Sequence, residues 1–272
     1  MNVNVDVAVA GSPPQRLAFL GAASGREPGR AVDVQPPVMV AFVIAWSLAI
    51  GAELTGVAQH LGHDAVLEGG LPPTAGLGLF LAGWLVMVAA MMLPTIPAVG
   101  VAEGPGLARR GGLGPFLGGF ALVWAVVGLA ALSFDMVVHR VVHAFPALDA
   151  RPWLVAAGVL GLAGTLQLMP STRRSLAAGR RVGDGAADGA LPAFYAGQRH
   201  GRLCLRSDGP LMLVMFAAGG GLAWMAVLTS LMIGERSSRY GPRLAVATGV
   251  GLVAGAAVMA LDFSWLPRFG PR

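Results

Sequence analysis

Residues Leu77–Val99 read LGLFLAGWLVMVAAMMLPTIPAV, twenty-three residues without a charged side chain. About twenty apolar residues in an α-helix cross a hydrocarbon layer of roughly 30 Å, so this segment predicts a transmembrane helix. Three thioethers, those of Met87, Met91 and Met92, lie from its middle toward its C-terminal end. Thioether sulfur is a soft ligand that suits Cu(I), although methionine also fills irregular gaps between packed helices.

The composition of the whole chain agrees with this segment. Hydrophobic residues make up 55% of the 272 positions and charged residues only 12%, which excludes an ordinary soluble domain and a disordered chain. We predict an all-α, polytopic membrane helix bundle within residues 37–265. Its six predicted transmembrane helices cover roughly 38–58, 77–99, 116–138, 153–169, 210–233 and 244–261.

The basic residues indicate an orientation in the membrane. All nineteen are arginine, and six crossings with a cytoplasmic N-terminus put fourteen of them in the cytoplasm. The five on the outer side are Arg140, Arg151, Arg236, Arg239 and Arg243. The positive-inside rule therefore favours a multi-pass protein of the bacterial inner membrane with both termini cytoplasmic. Residues 1–36 are then a mobile cytoplasmic tail and residues 170–209 an Arg-rich cytoplasmic connection. Arginines that orient loops do not indicate nucleic-acid binding.

Small residues recur four positions apart, as in helices that approach closely within lipid. The pairs are Gly114 with Gly118, Ala157 with Gly161, and Gly251 with Gly255. Such faces pack helices of one chain together, and they can also join copies in a homo-oligomer.

The predicted topology sorts possible metal ligands into two layers. The inner layer contains Met87, Met91, Met92, His200, Cys204, Met212 and Met215. Thiolate, thioether and imidazole together suit Cu(I), whereas so few carboxylates do not suit Mg²⁺ or Ca²⁺. The neighbouring Arg199, Arg202 and Arg206 would oppose a cation, and Cys204 could instead be a small interfacial residue.

The outer layer contains two histidines at a spacing that suits a metal ion. Asp135, His139 and His143 recur every four residues and so share one face of a helix. A histidine pair with a nearby carboxylate can hold a metal, but interfacial histidines are also often solvated.

Other functions remain open at this point. Glu53, Asp135 and Glu235 lie near ends of predicted spans, where ionisable residues would suit a transporter or channel for a small solute or ion. A scaffold for a partner protein is a third possibility. An enzyme is not expected, because no nucleophile has a visible base and Arg140 stands where a helical zinc protease has glutamate.

Several motifs together resemble a bacterial family of predicted metal-binding integral membrane proteins. One type of member is thought to be a membrane copper chaperone for a tyrosinase-like oxidase. The similar segments are 84–94 (WLVMVAAMMLP), 166–170 (LQLMP), 199–205 (RHGRLCL), 211–216 (LMLVMF) and 224–226 (WMA).

The resemblance implies copper as the metal, a protein that receives it, and no catalysis. Family members often carry further cysteines around the fifth span, whereas this chain has only Cys204, with Ser175 and Ala178 roughly where others would be expected. We therefore predict a copper-binding or copper-delivery membrane protein that relies on methionine and histidine more than on thiolates.

Overall fold

The computed structural model describes residues 36–57, 72–96, 112–151, 153–179, 189–218 and 221–261. Residues 1–35 of the predicted N-terminal tail lie outside this part. The helices are α1 (Pro36–Leu54), α2 (Pro73–Met92), α3 (Leu113–Ala144), α4 (Pro146–Asp149), α5 (Trp153–Leu168), α6 (Pro170–Gly179), α7 (Ala190–Ala218), α8 (Leu222–Ser237) and α9 (Gly241–Ala260). A 3₁₀ turn, Leu93–Thr95, follows α2.

The described residues contain helices and no strand, which confirms the all-α class. Within the described ranges, four helices, α1, α2, α3 and α9, are long and apolar enough to cross a membrane. A fifth crossing is possible if α5 and α6, which meet at a bend of 63°, form one span. Six crossings are not confirmed.

The predicted fifth transmembrane helix is not one continuous helix in the structure. Residues 210–233 are divided between α7, which ends at Ala218, and α8, which begins at Leu222. The apolar run looked long enough for one crossing because hydropathy does not register a break between two helices. The Gly-rich sequence at 219–221, GGG, disfavours helix and is the physical signal for that break.

The predicted connection at 170–209 is largely helical, formed by α6 and the first part of α7. Buried positions on α7 recur at the helical period: Ala193, Gly197, His200, Cys204, Asp208 and Leu211. The arginines at 199, 202 and 206 are exposed on the other side of the helix. Helix α7 is therefore amphipathic, and its buried stripe faces the core.

Glycines bring α3 and α7 into close contact. A Cβ atom added to Gly119 would lie 2.0 Å from the carbonyl oxygen of Phe194. A Cβ added to Gly197 would lie equally close, at 2.0 Å, to the carbonyl oxygen of Phe116. Each backbone therefore packs directly against the other, and no larger residue fits at either position.

A second close contact joins α5 and α9 at Gly164 and Gly249, where an added Cβ would meet backbone of the opposite helix at 2.8 and 3.1 Å. Three of the glycines that were predicted to lie in close helix contacts do not lie in them. A Cβ at Gly114, Gly251 or Gly255 would meet nothing within 4 Å. Spacing by four identifies a face of the helix, but it does not say which face meets a neighbour.

Helix α2 ends because of Pro94. Proline has no N–H, so the carbonyl of Ala90, four residues earlier, loses its helical hydrogen-bond donor. The indole Nε1 of Trp46 on α1 donates to that carbonyl oxygen over 2.8 Å. A buried carbonyl needs such a partner, so α1 is held against α2 where Met91 and Met92 lie.

Candidate functional site

The inner methionines predicted from the sequence lie in the protein core. Met91 and Met92 are fully buried at the end of α2, and Met212 and Met215 are buried on α7. Met87 is partly buried against the same core. The described helices therefore bring the predicted thioethers into one hydrophobic cluster, and packing alone would suffice to keep them there.

Cys204 contacts one of these thioethers directly. Its Sγ atom lies 3.5 Å from Sδ of Met92, although the two residues are 112 positions apart in the chain. Sγ also lies 3.1 Å from Oδ2 of Asp208, one helical turn further along α7. Burial raises the pKa of the Cys204 thiol well above its ordinary value, and the negative charge of Asp208 raises it further.

Arg236 of α8 reaches the same place. Its Nη2 atom donates to Oδ2 of Asp208 at 2.7 Å, to Oγ of Ser207 at 2.9 Å and to Sγ of Cys204 at 3.3 Å. The predicted topology put Arg236 outside and Cys204 inside the membrane, and this was wrong. Because Nη2 of Arg236 contacts Sγ of Cys204, the two residues cannot lie at opposite faces of a membrane.

We call Met92, Cys204, Ser207, Asp208 and Arg236 the Cys204 cluster. Asp208 is fully buried, and within the described part of the chain its Oδ1 atom has no hydrogen-bond partner. No group of three or more His, Cys, Asp and Glu side chains suited to a metal occurs among the residues that the structure describes. A metal held here would therefore need thioether sulfur among its ligands.

His200 lies one helical turn before Cys204 and is 1% exposed. The rings of Phe116 and Phe120 have their centroids 5.8 and 6.0 Å from its imidazole. Neither ring nitrogen has a hydrogen-bond partner among the described residues. Burial lowers the pKa of His200 to about 4, and the positive charge of Arg236 contributes. The imidazole is therefore neutral, which is the form that binds metal ions.

A second buried polar contact adjoins the cluster. Glu235, next to Arg236 on α8, accepts hydrogen bonds at 3.0 and 2.9 Å from Nε2 of Gln167 at the end of α5. Burial raises the pKa of Glu235 to about 7, and the charge of Asp208 adds to this rise. This pair links α5 to α8 beside the Cys204 cluster.

The outer candidates lie elsewhere, near the end of α3. His139 and His143 are exposed, with ring centroids 5.7 Å apart. Nδ1 of His139 lies 3.8 Å from Oδ2 of Asp135. The structure brings these three residues together on one helix face.

Several residues of the site were not identified from the sequence. Ser207 and Asp208 were not among the predicted site residues, and Arg236 was assigned to the outer side. The sequence does contain one signal for Asp208, because it follows Cys204 by four residues and so lies on the same buried face of the amphipathic helix α7. No sequence signal connects Arg236 with α7, because that contact depends on the reversal between α7 and α8. Buried Met225 and Met232 of α8 also belong to the sulfur-rich core.

Comparison with known proteins identifies a family. No curated protein and no solved structure matches the chain significantly. The family model PpoB2, described as a copper chaperone, matches residues 81–259, which is more than half of the chain. That range contains the Cys204 cluster, from Met92 to Arg236. The chain belongs to the PpoB2 family of copper chaperones.

Proposed function

We propose that this protein is an integral membrane copper chaperone that holds Cu(I) between the sulfur atoms of Cys204 and Met92. The observation that supports this best is the 3.5 Å distance between those two buried atoms, which come from different helices. Copper is the cargo, and the protein releases it to a partner. No catalytic step is proposed, because a chaperone acts by binding and transfer.

The donor set suits the cargo. With a metal–sulfur distance of about 2.3 Å, as for zinc thiolates, two sulfurs this far apart can bind one ion at an S–metal–S angle of roughly 100°. That angle leaves room for a third donor. Neutral His200 and the other buried methionines are candidates, and soft donors of this kind favour Cu(I). Few ligands of mixed type also allow the exchange that delivery requires.

The surface of the protein supports a location in a lipid bilayer. Large apolar side chains are exposed along the helices, for example Val126 and Phe134 on α3 at 59% and 61%. Exposed hydroxyls instead bond to carbonyls of their own helices. Ser133, Thr165 and Ser230 each donate to the carbonyl four residues earlier, over 2.7–2.9 Å. Polar groups that face lipid need such internal partners.

We further propose five crossings of the bacterial inner membrane, formed by α1, α2, α3, the bent pair α5 and α6, and α9. Helices α7 and α8 form a hairpin that enters and leaves on the cytoplasmic side. A cytoplasmic N-terminus then leaves fifteen arginines inside and four outside, and it puts the C-terminus outside. The outer four are Arg140, Arg151, Arg268 and Arg272. The contacts Met92–Cys204 and Gln167–Glu235 support this proposal, because they join the ends of α2 and α5 to the hairpin.

Reporter fusions test this topology. A periplasm-active phosphatase fused after Arg272 is expected to be active, whereas the same reporter fused after Gly179 is expected to be inactive. Six crossings would make the C-terminal fusion inactive. A cytoplasm-active fluorescent reporter at the same two positions provides the reciprocal control.

We propose that His139 and His143 capture copper on the outer side and that a copper-accepting protein, an oxidase of the tyrosinase type, receives it. The pair, with Asp135 at 3.8 Å from His139, is exposed at the end of α3, where an ion arriving from outside could bind. The lipid bilayer is the other expected partner. Formation of homo-oligomers, a transporter activity and a scaffold role stay predictions.

Replacement of Met92 by leucine tests the copper site. Leucine has a similar volume but no sulfur, so we expect Cu(I) affinity to fall by about tenfold or more. The affinity is measured on purified, reduced protein by competition with a chromophoric Cu(I) chelator. Met39→Leu is the matched control, because Met39 is 41% exposed on α1 and is expected to have no role. Equal affinities of wild type and Met92→Leu would contradict the proposed site.

A further inference from the structure

We propose that Arg236 is a specificity-determining residue, which makes the Cys204 cluster accept singly charged soft cations and reject divalent ones. The inference rests on the proposed function, since it assumes that the cargo binds at Cys204. It goes further by naming the charge of the cargo and the residue that selects it.

The charged groups of the Cys204 cluster balance each other before a metal binds. Arg236 and Asp208 form an ion pair of 2.7 Å, in which Asp208 is fully buried and the Arg236 side chain is 9% exposed. The pair is neutral in sum. Cys204, also fully buried, contributes a neutral thiol before it binds a metal. The net charge of the cluster is therefore zero before a metal binds.

A monovalent metal preserves that balance. When Cu(I) binds, the S–H bond of Cys204 breaks, the proton passes to solvent, and a metal–sulfur bond forms with no change of oxidation state. One positive charge leaves and one enters, while the thioether of Met92 adds no charge. The loaded site has the same net charge as the empty one.

A divalent metal would leave one positive charge without a partner. Zn²⁺ or Cd²⁺ on the same thiolate adds a second positive charge, and the single negative charge of Asp208 is already balanced by Arg236 in the ion pair. Arg236 also lies 3.3 Å from Sγ, so its guanidinium repels the ion at short range. An unpaired charge in a buried site is costly, and the repulsion is only weakly screened there.

The other arginines of α7 do not have this role. Arg199, Arg202 and Arg206 are exposed on the opposite side of the helix. Arg236 instead comes from α8, and it donates to Ser207, Asp208 and Cys204 with one nitrogen, Nη2. These bonds fix the position of the guanidinium beside the thiol.

The test compares a monovalent and a divalent soft ion on the full-length protein in detergent. Ag(I) and Cd(II) are suitable probes, and the readout is the ratio of their dissociation constants from competition titrations. The measurements are made near pH 6, because burial raises the pKa of neighbouring Glu235 to about 7 and its carboxyl is then mainly protonated. The wild type is expected to prefer Ag(I).

Arg236→Gln removes the positive charge and leaves Asp208 to balance a divalent ion. We expect the preference to shift toward Cd(II) by about tenfold or more, as for loss of a nearby unit charge. Arg236→Lys keeps the charge and is expected to keep the preference for Ag(I). Because Arg236→Gln could unfold the protein by leaving a buried carboxylate unpaired, the double variant Arg236→Gln/Asp208→Asn is included. It removes both charges and is expected to restore the wild-type ratio.

The outcomes separate this inference from the proposed function. An unchanged ratio in Arg236→Gln, or a double variant that shifts as far toward Cd(II) as Arg236→Gln does, would overturn the role of Arg236 while copper binding at Cys204 stands. If the wild type binds neither Cu(I) nor Ag(I), the proposed function fails and the inference with it. A wild type that prefers Cd(II) would overturn the inference alone.

Discussion

Replacement of Cys204 by serine is expected to lower the Cu(I) affinity of the purified protein by about a hundredfold or more. The serine hydroxyl is hard and does not deprotonate readily, so the site loses its only anionic sulfur. Serine is nearly the same size as cysteine, and the ion pair between Asp208 and Arg236 has no need of the thiol. The loss therefore reports on ligation more than on folding. Competition titration under reducing conditions measures it.

Two controls make that result specific. The thermal unfolding temperature of Cys204→Ser should stay close to that of the wild type. Met169→Leu, which removes a thioether that is 42% exposed after α5, should bind Cu(I) as the wild type does. If Cys204→Ser keeps full affinity, copper binds elsewhere, and the outer pair His139 and His143 becomes the first place to examine.

Replacement of Gly119 by alanine is expected to destabilise the protein by about 2–3 kcal/mol, in the range of overpacked cores. The new Cβ would lie 2.0 Å from the carbonyl oxygen of Phe194, and neither backbone can yield without separating α3 from α7. The separation would also disturb the contact of Phe116 and Phe120 with His200. Unfolding in mixed micelles with increasing denaturing detergent gives the free-energy change.

The adjacent glycine provides the matched control. A Cβ added to Gly118 would meet only the Phe194 ring, at 4.0 Å. Gly118→Ala is therefore expected to be neutral, or stabilising by up to about 1 kcal/mol through the better helix propensity of alanine. If Gly118→Ala and Gly119→Ala destabilised the protein equally, close contact between α3 and α7 would not be the reason that alanine is unfavourable at position 119.

Much of the helical architecture could be predicted from the sequence, because long uncharged runs have few alternatives to helix. Residues 77–95 of the predicted segment, for example, lie in α2 and in the turn that Pro94 produces. The number of crossings could not be predicted in the same way. The run at 210–233 is apolar enough for one span, and the contact of Arg236 with Cys204 shows that α7 and α8 instead pack side by side.

The candidate site was predictable in its chemistry but not in its geometry. Sulfur and imidazole residues at the ends of predicted spans indicated soft donors, and the structure buries Met91, Met92, His200 and Cys204 in or beside one core. The charged residues of the site, Asp208 and Arg236, were not identified from the sequence. Sequence distance hides the contact between α7 and α8, and buried ion pairs such as Asp208–Arg236 have no local pattern.

X-ray absorption at the copper K-edge of the Cu(I)-loaded protein identifies the atoms that bind the metal. We predict a first coordination shell dominated by sulfur. Met92→Leu and Cys204→Ser should each show less sulfur scattering than the wild type. A shell of nitrogen and oxygen only, with the same spectrum in the wild type and both variants, would contradict copper binding between Met92 and Cys204.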